Sequence, residues 1–153
     1  MSDKLDNRQA DFIASCLRLA KGDLTDARVL ADQLPKSRGA AYHLEQAAEK
    51  IIRAIAASED VRVGLGHELD HFVSQIPDSN PYKARCKAVQ DLKRYATSYR
   101  YPTSQGRTMK PPTAEYFEQQ YQLVALLLVD VSARFDVDLD KENAPARNPN
   151  PIR

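Results

Sequence analysis

The chain has 153 residues, of which 42% are hydrophobic, so it is long enough to form one domain with a substantial core. Its formal net charge of +1 predicts neither a strongly basic nucleic-acid binder nor an acidic scaffold, so any charge signal must be local. The two isolated cysteines do not make a secreted disulfide framework, and the charged N-terminus lacks an apolar signal core. The longest apolar run, Leu123 to Val129, is far short of the roughly 20 residues that span a bilayer. We therefore expect a cytoplasmic protein.

Apolar residues recur at steps of three and four along most of the chain, which is the period of amphipathic helices. The first helix is predicted to end at Pro35, because proline cannot continue it. Ser37 suits the N-cap position of the second helix. The predicted buried stripes of these two helices are Ile13, Leu17, Ala20, Leu24, Ala27, Ala31 and Leu34, and then Ala41, Leu44, Ala48, Ile51 and Ile55.

Three more helices are predicted in the second half of the chain. A short one runs from about His67 to Ile76, a longer one from about Pro81 to Tyr99, and a last one follows a Thr113 cap. The last helix is apolar on all sides from Leu123 to Val129, which places that segment at the bundle centre or in a subunit interface. The predicted inward positions are Ala84, Ala88, Leu92, Tyr95 and Tyr99 in the fourth helix, and Phe117, Tyr121, Val124, Leu128, Val131 and Phe135 in the fifth.

The predicted fold class is therefore all-α, an antiparallel bundle of about five helices joined by short connections. We expect a flexible N-terminus over residues 1–7 and a helical domain over residues 8–139. Residues 140–153 are predicted to be a disordered tail, because three prolines and no apolar periodicity occur there.

Three short motifs in this order resemble those of the HEPN family (higher eukaryote and prokaryote nucleotide-binding). Gln46-Ala47-Ala48-Glu49-Lys50 is similar to the family's Gln-Ala-x-Glu-Lys helix, Gly66-His67-Glu68-Leu69 to its His-Asp-Leu segment, and Arg100-Tyr101-Pro102 to its Arg-Tyr-Pro signature. The resemblance covers roughly residues 20–135. It implies an antiparallel helical bundle, frequent dimerisation and a link to nucleotides or RNA, but not one activity, because a fold does not determine a function.

The resemblance also implies where a nuclease motif would lie. HEPN ribonucleases carry an arginine followed, after four to six residues, by a histidine near the end of the fourth helical segment. Counting from Arg100, the three places hold Gln105, Gly106 and Arg107, none of which can act as a general acid or base as histidine can. The literal matches Arg38 to His43 and Arg62 to His67 lie elsewhere in the chain. We expect no catalytic residues of this type, and keep a metal-independent RNase, of toxin-antitoxin or defence type, as an alternative.

The segment from His67 to His71 also reads as His-Glu-x-x-His, the signature of zinc metalloproteases. Two histidines one helical turn apart can share a zinc ion, with Glu68 as general base. No third ligand stands out, and the preceding glycines place His67 at a helix start. We expect no metal or other cofactor, and a zinc hydrolase using His67, Glu68 and His71 is the weaker alternative.

Basic residues cluster between Lys83 and Lys110, against the single acidic residue Asp91. On a continuous α-helix, Lys83, Lys87, Gln90 and Arg94 form one stripe that could neutralise phosphates. Such a stripe is also typical of a solvated outer face. A second polar stripe, His43, Gln46 and Lys50, borders the apolar face of the second helix and could line a nucleotide pocket or fix helix packing.

The predicted function is a nucleotide- or RNA-associated binding module that forms a homodimer, with no membrane contact. The predicted phosphate contacts are Lys50, Arg94 and Arg100, and Tyr101 and His67 are further candidates. A purely structural role beside a nucleotidyltransferase-like partner protein is the remaining alternative.

Overall fold

A computed structural model describes residues 2–34, 36–62, 64 and 68–151, without the side chains of residues 2–6 and 98. Over these residues the chain forms five α-helices and two 3-10 helices, and no strand. The α-helices are α1 (Ser2–Gln33), α2 (Arg38–Ser58), α3 (Leu69–Gln75), α4 (Lys83–Val89) and α5 (Ala114–Arg134). The 3-10 helices span Gln90–Tyr95 and Thr97–Arg100. The predicted all-α fold is confirmed.

The starts of α2 and α5 follow the predicted capping signals. The side chain of Ser37 accepts a hydrogen bond from the backbone N–H of Ala40, and that of Thr113 accepts one from Tyr116. Each satisfies one of the N–H groups that a helix start leaves without an intrahelical partner. Pro35, predicted to end the first helix, lies outside the described residues, and α1 ends at Gln33.

The long helices are antiparallel to their chain neighbours. Gln9 near the start of α1 donates a hydrogen bond to the Ala57 carbonyl near the end of α2, whereas Leu30 lies beside Gly39. Helices α1 and α5 are also antiparallel, because Arg28 near the end of α1 pairs with Glu118 near the start of α5. Arg18 donates to the carbonyl of Asp138, just beyond the end of α5. The predicted antiparallel bundle therefore describes the arrangement of these helices.

The centre of the bundle is α2, which contacts every other helix described. All of its isoleucines and most of its alanines are almost completely buried, and they occur on several sides of the helix. The all-round apolar segment of α5 is buried on one side only. Val124 and Leu127 lie in the core, whereas Leu123, Leu126 and Val129 are 42%, 56% and 60% exposed. No helix in the described ranges is long and apolar enough to cross a membrane.

The fourth helical segment differs from the prediction. The α-helix ends at Val89 and the chain continues as 3-10 helix to Tyr95. Ala84 and Ala88, predicted to face inward, are exposed, while Cys86, Val89 and Leu92 fill the core beside the correctly predicted Tyr95 and Tyr99. The larger thiol and branched side chains have more apolar surface to bury than two alanine methyl groups, so they determine which face packs.

The structure describes most residues of both chain ends, for which the sequence predicts a flexible N-terminus and a disordered tail. Helix α1 begins at Ser2, within the stretch predicted to be flexible. Beyond Asp140, Ala146 is buried and its backbone N–H donates to the Ala10 carbonyl over 3.1 Å. The Asn148 N–H donates to the Phe135 carbonyl over 3.0 Å. Residues 146–148 thus pack against α1 and the end of α5, although their sequence has no apolar periodicity.

Candidate functional site

One surface of the bundle is organised by Arg38, in the first turn of α2. Its guanidinium carbon lies 4.8 Å from the centroid of the Tyr99 ring. Its Nη2 donates to the Met109 carbonyl over 2.5 Å, and its Nη1 to the Tyr99 carbonyl over 3.5 Å. Arg38 therefore joins the two ends of the exposed loop that runs from residue 100 to residue 108.

Arg100 stands at the start of this loop, as the last residue of the second 3-10 helix. Its guanidinium carbon lies 4.9 Å from the centroid of the Tyr42 ring, one helical turn after Arg38 on α2. The guanidinium remains exposed, and Tyr101 beside it is among the most exposed large side chains of the described chain. An arginine resting on an aromatic face is held in place while its N–H donors stay available.

Several further cations belong to the same region. Lys36 lies two residues before Arg38, Lys110 follows Met109, and Arg107 lies in the exposed loop itself. Among the described side chains, no carboxylate oxygen lies within the 4.0 Å ion-pair distance of Arg100 or of any of these cations. We call Lys36, Arg38, Arg100, Arg107 and Lys110 the α2-start cluster. It is a local excess of positive charge in a chain that is nearly neutral overall.

The predicted stripe of His43, Gln46 and Lys50 divides between two networks. Asp23 of α1 accepts a hydrogen bond from His43 Nδ1 over 2.9 Å and forms an ion pair with Lys50 through its other oxygen. Gln46 instead donates to Glu45 over 2.8 Å and to Glu49 over 3.2 Å. The charge of Lys50, a predicted phosphate contact, is therefore already compensated by Asp23.

Glu45 is a carboxyl group in the core of the bundle, with only 2% of its surface exposed. Burial raises the pKa of Glu45 from 4.5 to about 7, because a charged carboxylate is poorly solvated there. The hydrogen bond from Gln46 and the nearby Lys50 lower the pKa, while Glu49 and Asp23 raise it. Glu45 is thus a buried group that titrates near neutrality.

The predicted basic stripe of the fourth segment does not form one continuous face. From Gln90 the chain turns at about 120° per residue rather than about 100°, which displaces Arg94 by about 80° from the α-helical position. Lys83 pairs with Asp78 over 2.8 Å, and Arg85 with Asp130 over 2.7 Å. Arg94 is exposed, but it stands apart from Lys83 and Lys87.

The first turns of α2 and α5 border a pocket of about 370 Å³. This volume lies within the range of small-molecule sites. Its one arginine, Arg28, already pairs with Glu118 over 2.5 Å and with Asp32 over 2.8 Å. The pocket thus offers mainly apolar walls, and its lining residues are Arg28, Ala31, Lys36, Ser37, Ala40, Pro112, Thr113, Ala114, Phe117 and Glu118.

A comparison with protein families matches the HEPN domain model to residues 13–128. The chain belongs to the HEPN domain family. No curated protein and no solved structure matches it. At the level of the family, this HEPN domain is a module related to nucleotides and RNA.

The nuclease position of this HEPN domain falls in the exposed loop. Gln105, Gly106 and Arg107 are all exposed there. In the literal match of Arg38 with His43, the two side chains make separate contacts: Arg38 donates to the carbonyls of Tyr99 and Met109, and His43 contacts Asp23. The other match, Arg62 with His67, lies partly outside the described residues.

The histidine motif of the HEPN domain is also only partly described. His67 lies outside the described residues. Glu68 and Asp70 both pair with Lys93, over 3.3 Å and 2.9 Å. His71 is exposed at the start of α3. The carboxylate predicted to serve as a general base is therefore engaged in an ion pair.

Sequence reasoning missed Arg38, Tyr42 and Asp23 as members of the site. Asp23 lies in α1 beside the predicted buried stripe, and His43 and Lys50 border the stripe of α2. A carboxylate on the apolar border of α1, and a histidine and a lysine on that of α2, were a signal for this pairing. Only the register of the two helices shows that they meet.

Proposed function

We propose that this HEPN domain binds single-stranded RNA through the α2-start cluster and does not cleave it. The observation that carries the proposal is Arg100, which rests on Tyr42 with its donors exposed and with no described carboxylate at ion-pair distance. An arginine held in this way can make two parallel hydrogen bonds to one phosphate. Neighbouring cations add attraction for the rest of the backbone.

The shape of the surface favours a strand over an isolated small molecule. The loop from residue 100 to residue 108 is exposed along its whole length. Tyr101 can stack on a base while Arg100 and Arg107 contact phosphates. The neighbouring pocket is mainly apolar and its Arg28 is already paired, so Lys36 is the one lining cation without a described carboxylate partner, against several cations along the exposed surface. Free nucleotides are therefore expected to bind more weakly than RNA.

The predicted phosphate contacts do not contribute equally to this proposal. Arg94 is exposed and remains a secondary contact. Lys50 already pairs with Asp23 and is expected to contribute less. His67 lies outside the described residues and has no role assigned.

The proposal that the domain does not cleave RNA rests on the residues at the spacing where the family's nucleases carry histidine. Gln105, Gly106 and Arg107 cannot exchange a proton with a ribose hydroxyl near neutral pH as histidine does. No geometric observation favours the RNase alternative, since Arg38 and His43 make separate contacts. RNA incubated with the protein in the presence of a chelator is expected to remain intact.

We also propose a homodimer that pairs through α5. Leu123, Leu126 and Val129 expose apolar surface along one helix. Covering it with the same surface of a second copy would remove it from water in a two-fold arrangement.

Fluorescence anisotropy with a short, labelled single-stranded RNA tests the binding proposal. Arg100→Ala is expected to weaken binding by about 1–3 kcal/mol, roughly 5- to 150-fold. Arg94→Ala should have a smaller effect. The affinity of the unmodified protein should fall steeply with salt, with a smaller slope for Arg100→Ala.

Arg85→Ala is the matched control, because Arg85 is also a partly exposed arginine but pairs with Asp130 away from the cluster. Its affinity for RNA should stay within twofold of the unmodified protein. If the Arg100 and Arg85 variants bound RNA equally well, the cluster would be an ordinary solvated surface and the binding proposal would be wrong. Chelator-resistant RNA cleavage that is lost in His43→Ala would overturn the binding-only proposal in favour of a nuclease.

A further inference from the structure

A second polar site lies between α1 and α2. Asp23 and Asp26 are one helical turn apart on α1, and His43 faces them from α2. His43 Nδ1 lies 2.9 Å from an oxygen of Asp23 and 4.0 Å from an oxygen of Asp26. One potential ligand atom from each residue lies within 4.8 Å of the other two.

These separations correspond to those around a bound transition metal. With metal–ligand distances of about 2.1 Å, tetrahedral ligands lie about 3.4 Å from one another. The two distances measured from His43 fall on either side of that value, and the two carboxylate oxygens lie within 4.8 Å of each other. Because the ligands come from two packed helices, their backbone positions are already fixed.

The geometry points to a divalent transition-metal site formed by Asp23, Asp26 and His43. One imidazole and two carboxylates suit Zn²⁺, Co²⁺ or Mn²⁺, whereas Mg²⁺ and Ca²⁺ prefer oxygen ligands alone. Three protein ligands leave one position for water or another small ligand. This site adjoins the RNA surface proposed above, since the His43 and Tyr42 rings lie 5.6 Å apart, but it uses different residues and does not depend on RNA binding.

The Lys50 ammonium would compete with a metal ion for Asp23. The ammonium pairs with the Asp23 oxygen that does not contact His43. A metal ion and this ammonium must share one mostly buried carboxylate, so the two positive charges repel each other. Removing the ammonium should therefore tighten metal binding, whereas a site that did not involve Asp23 would be unaffected.

Isothermal titration of the metal-stripped, full-length protein with ZnCl₂, in the absence of RNA, tests the inference. One Zn²⁺ per chain is expected. Asp26→Asn and His43→Ala should each weaken binding at least tenfold, and Lys50→Met should strengthen it several-fold. Co²⁺ should give the visible absorption of a tetrahedral complex, which the His43 variant loses. Mg²⁺ should produce no titratable heat.

The controls separate this site from the other histidines. Asp26 is largely exposed, so Asp26→Asn is expected to fold normally and circular dichroism checks this. His71→Ala, at the start of α3, should leave Zn²⁺ binding unchanged. The absence of Zn²⁺ binding, or binding that persists in both the Asp26 and His43 variants, would overturn the site. If Zn²⁺ binding were lost only in His71→Ala, the metal would bind at the predicted His-Glu-x-x-His segment instead, and the site proposed here would be wrong. RNA binding measured with a chelator present distinguishes failure of this site from failure of the RNA proposal.

Discussion

The guanidinium carbon of Arg38 lies 4.8 Å from the centroid of the Tyr99 ring, and the same side chain donates to the Met109 carbonyl. Tyr99 is almost fully buried, while the loop that begins at Arg100 is exposed. Arg38 therefore connects the core to the surface that we propose binds RNA. Arg38 thus fixes both ends of the loop, and Tyr42 of the same helix supports Arg100.

Replacing Arg38 with alanine should lower the free energy of unfolding by about 1–3 kcal/mol, because two carbonyls lose a charged donor. Arg38→Lys should recover only part of this loss, since an ammonium cannot reproduce the planar fork that contacts both carbonyls. Urea denaturation measures both effects. Arg8→Ala, at an exposed position of α1, is the control and should change stability by less than about 0.5 kcal/mol. Equal stabilities of the Arg8 and Arg38 variants would contradict the anchoring role.

Glu45 should make the protein less stable as the pH rises. Its pKa is about 7 in the folded state and 4.5 ordinarily, so the folded protein binds more protons between these values. Stability should therefore fall between about pH 4.5 and pH 7 and remain lower above that range. Glu45→Gln removes the charge and still accepts from Gln46, so it should raise stability at pH 8 by about 1–3 kcal/mol.

Urea denaturation at pH 5 and pH 8 measures the Glu45 effect. Glu45→Gln should gain little at pH 5, where most of the carboxyl is protonated in the folded protein. Glu142→Gln, at an exposed position, should show the same pH dependence as the unmodified chain. A Glu45 variant that lost stability at pH 8 would mean that the carboxylate is stabilised rather than penalised by its surroundings.

Much of the fold could be predicted from local sequence signals. Ser37 and Thr113 cap helices because their hydroxyls satisfy nearby N–H groups, an interaction within four residues. The fourth segment was harder, because Ala84 and Ala88 fit a helical apolar stripe as well as Cys86 and Val89 do. Packing against the other helices determines which face is buried, and the apolar periodicity within the segment does not distinguish the two faces.

The candidate site could be predicted only in part. Arg100 and Tyr101 were identified through the HEPN resemblance, and both are exposed on the structure. The contacts that Tyr42 and Arg38 make with this part of the chain form only in the folded protein, because those residues lie about 60 positions away in the sequence. The pairing of Lys50 with Asp23 likewise depends on the register between α1 and α2. Periodicity predicts helix faces, but not which side chains of two faces meet.

The proposed dimer should dissociate when α5 carries a charge in its exposed apolar surface. Light scattering of the unmodified chain at micromolar concentration should give about twice the chain mass. Leu126→Glu should give a monomer with unchanged circular dichroism, because Leu126 is 56% exposed. Leu19→Glu, at a 60% exposed position of α1, should leave the dimer intact. A monomeric unmodified protein, or equal effects of both variants, would exclude pairing through α5.

Removing residues 143–153 should destabilise the domain, although their composition suggests a disordered tail. The deletion exposes the surface covered by Ala146 and removes the hydrogen bonds to the carbonyls of Ala10 and Phe135. We expect a loss of about 1–3 kcal/mol in the free energy of unfolding, the scale of a few lost hydrogen bonds. Deletion of residues 150–153 is the control, because it leaves these contacts in place. Thermal denaturation compares the two truncated chains with the full one. If residues 143–149 were disordered in solution, both truncations would unfold at the same temperature as the full chain, and the packing against α1 would be refuted.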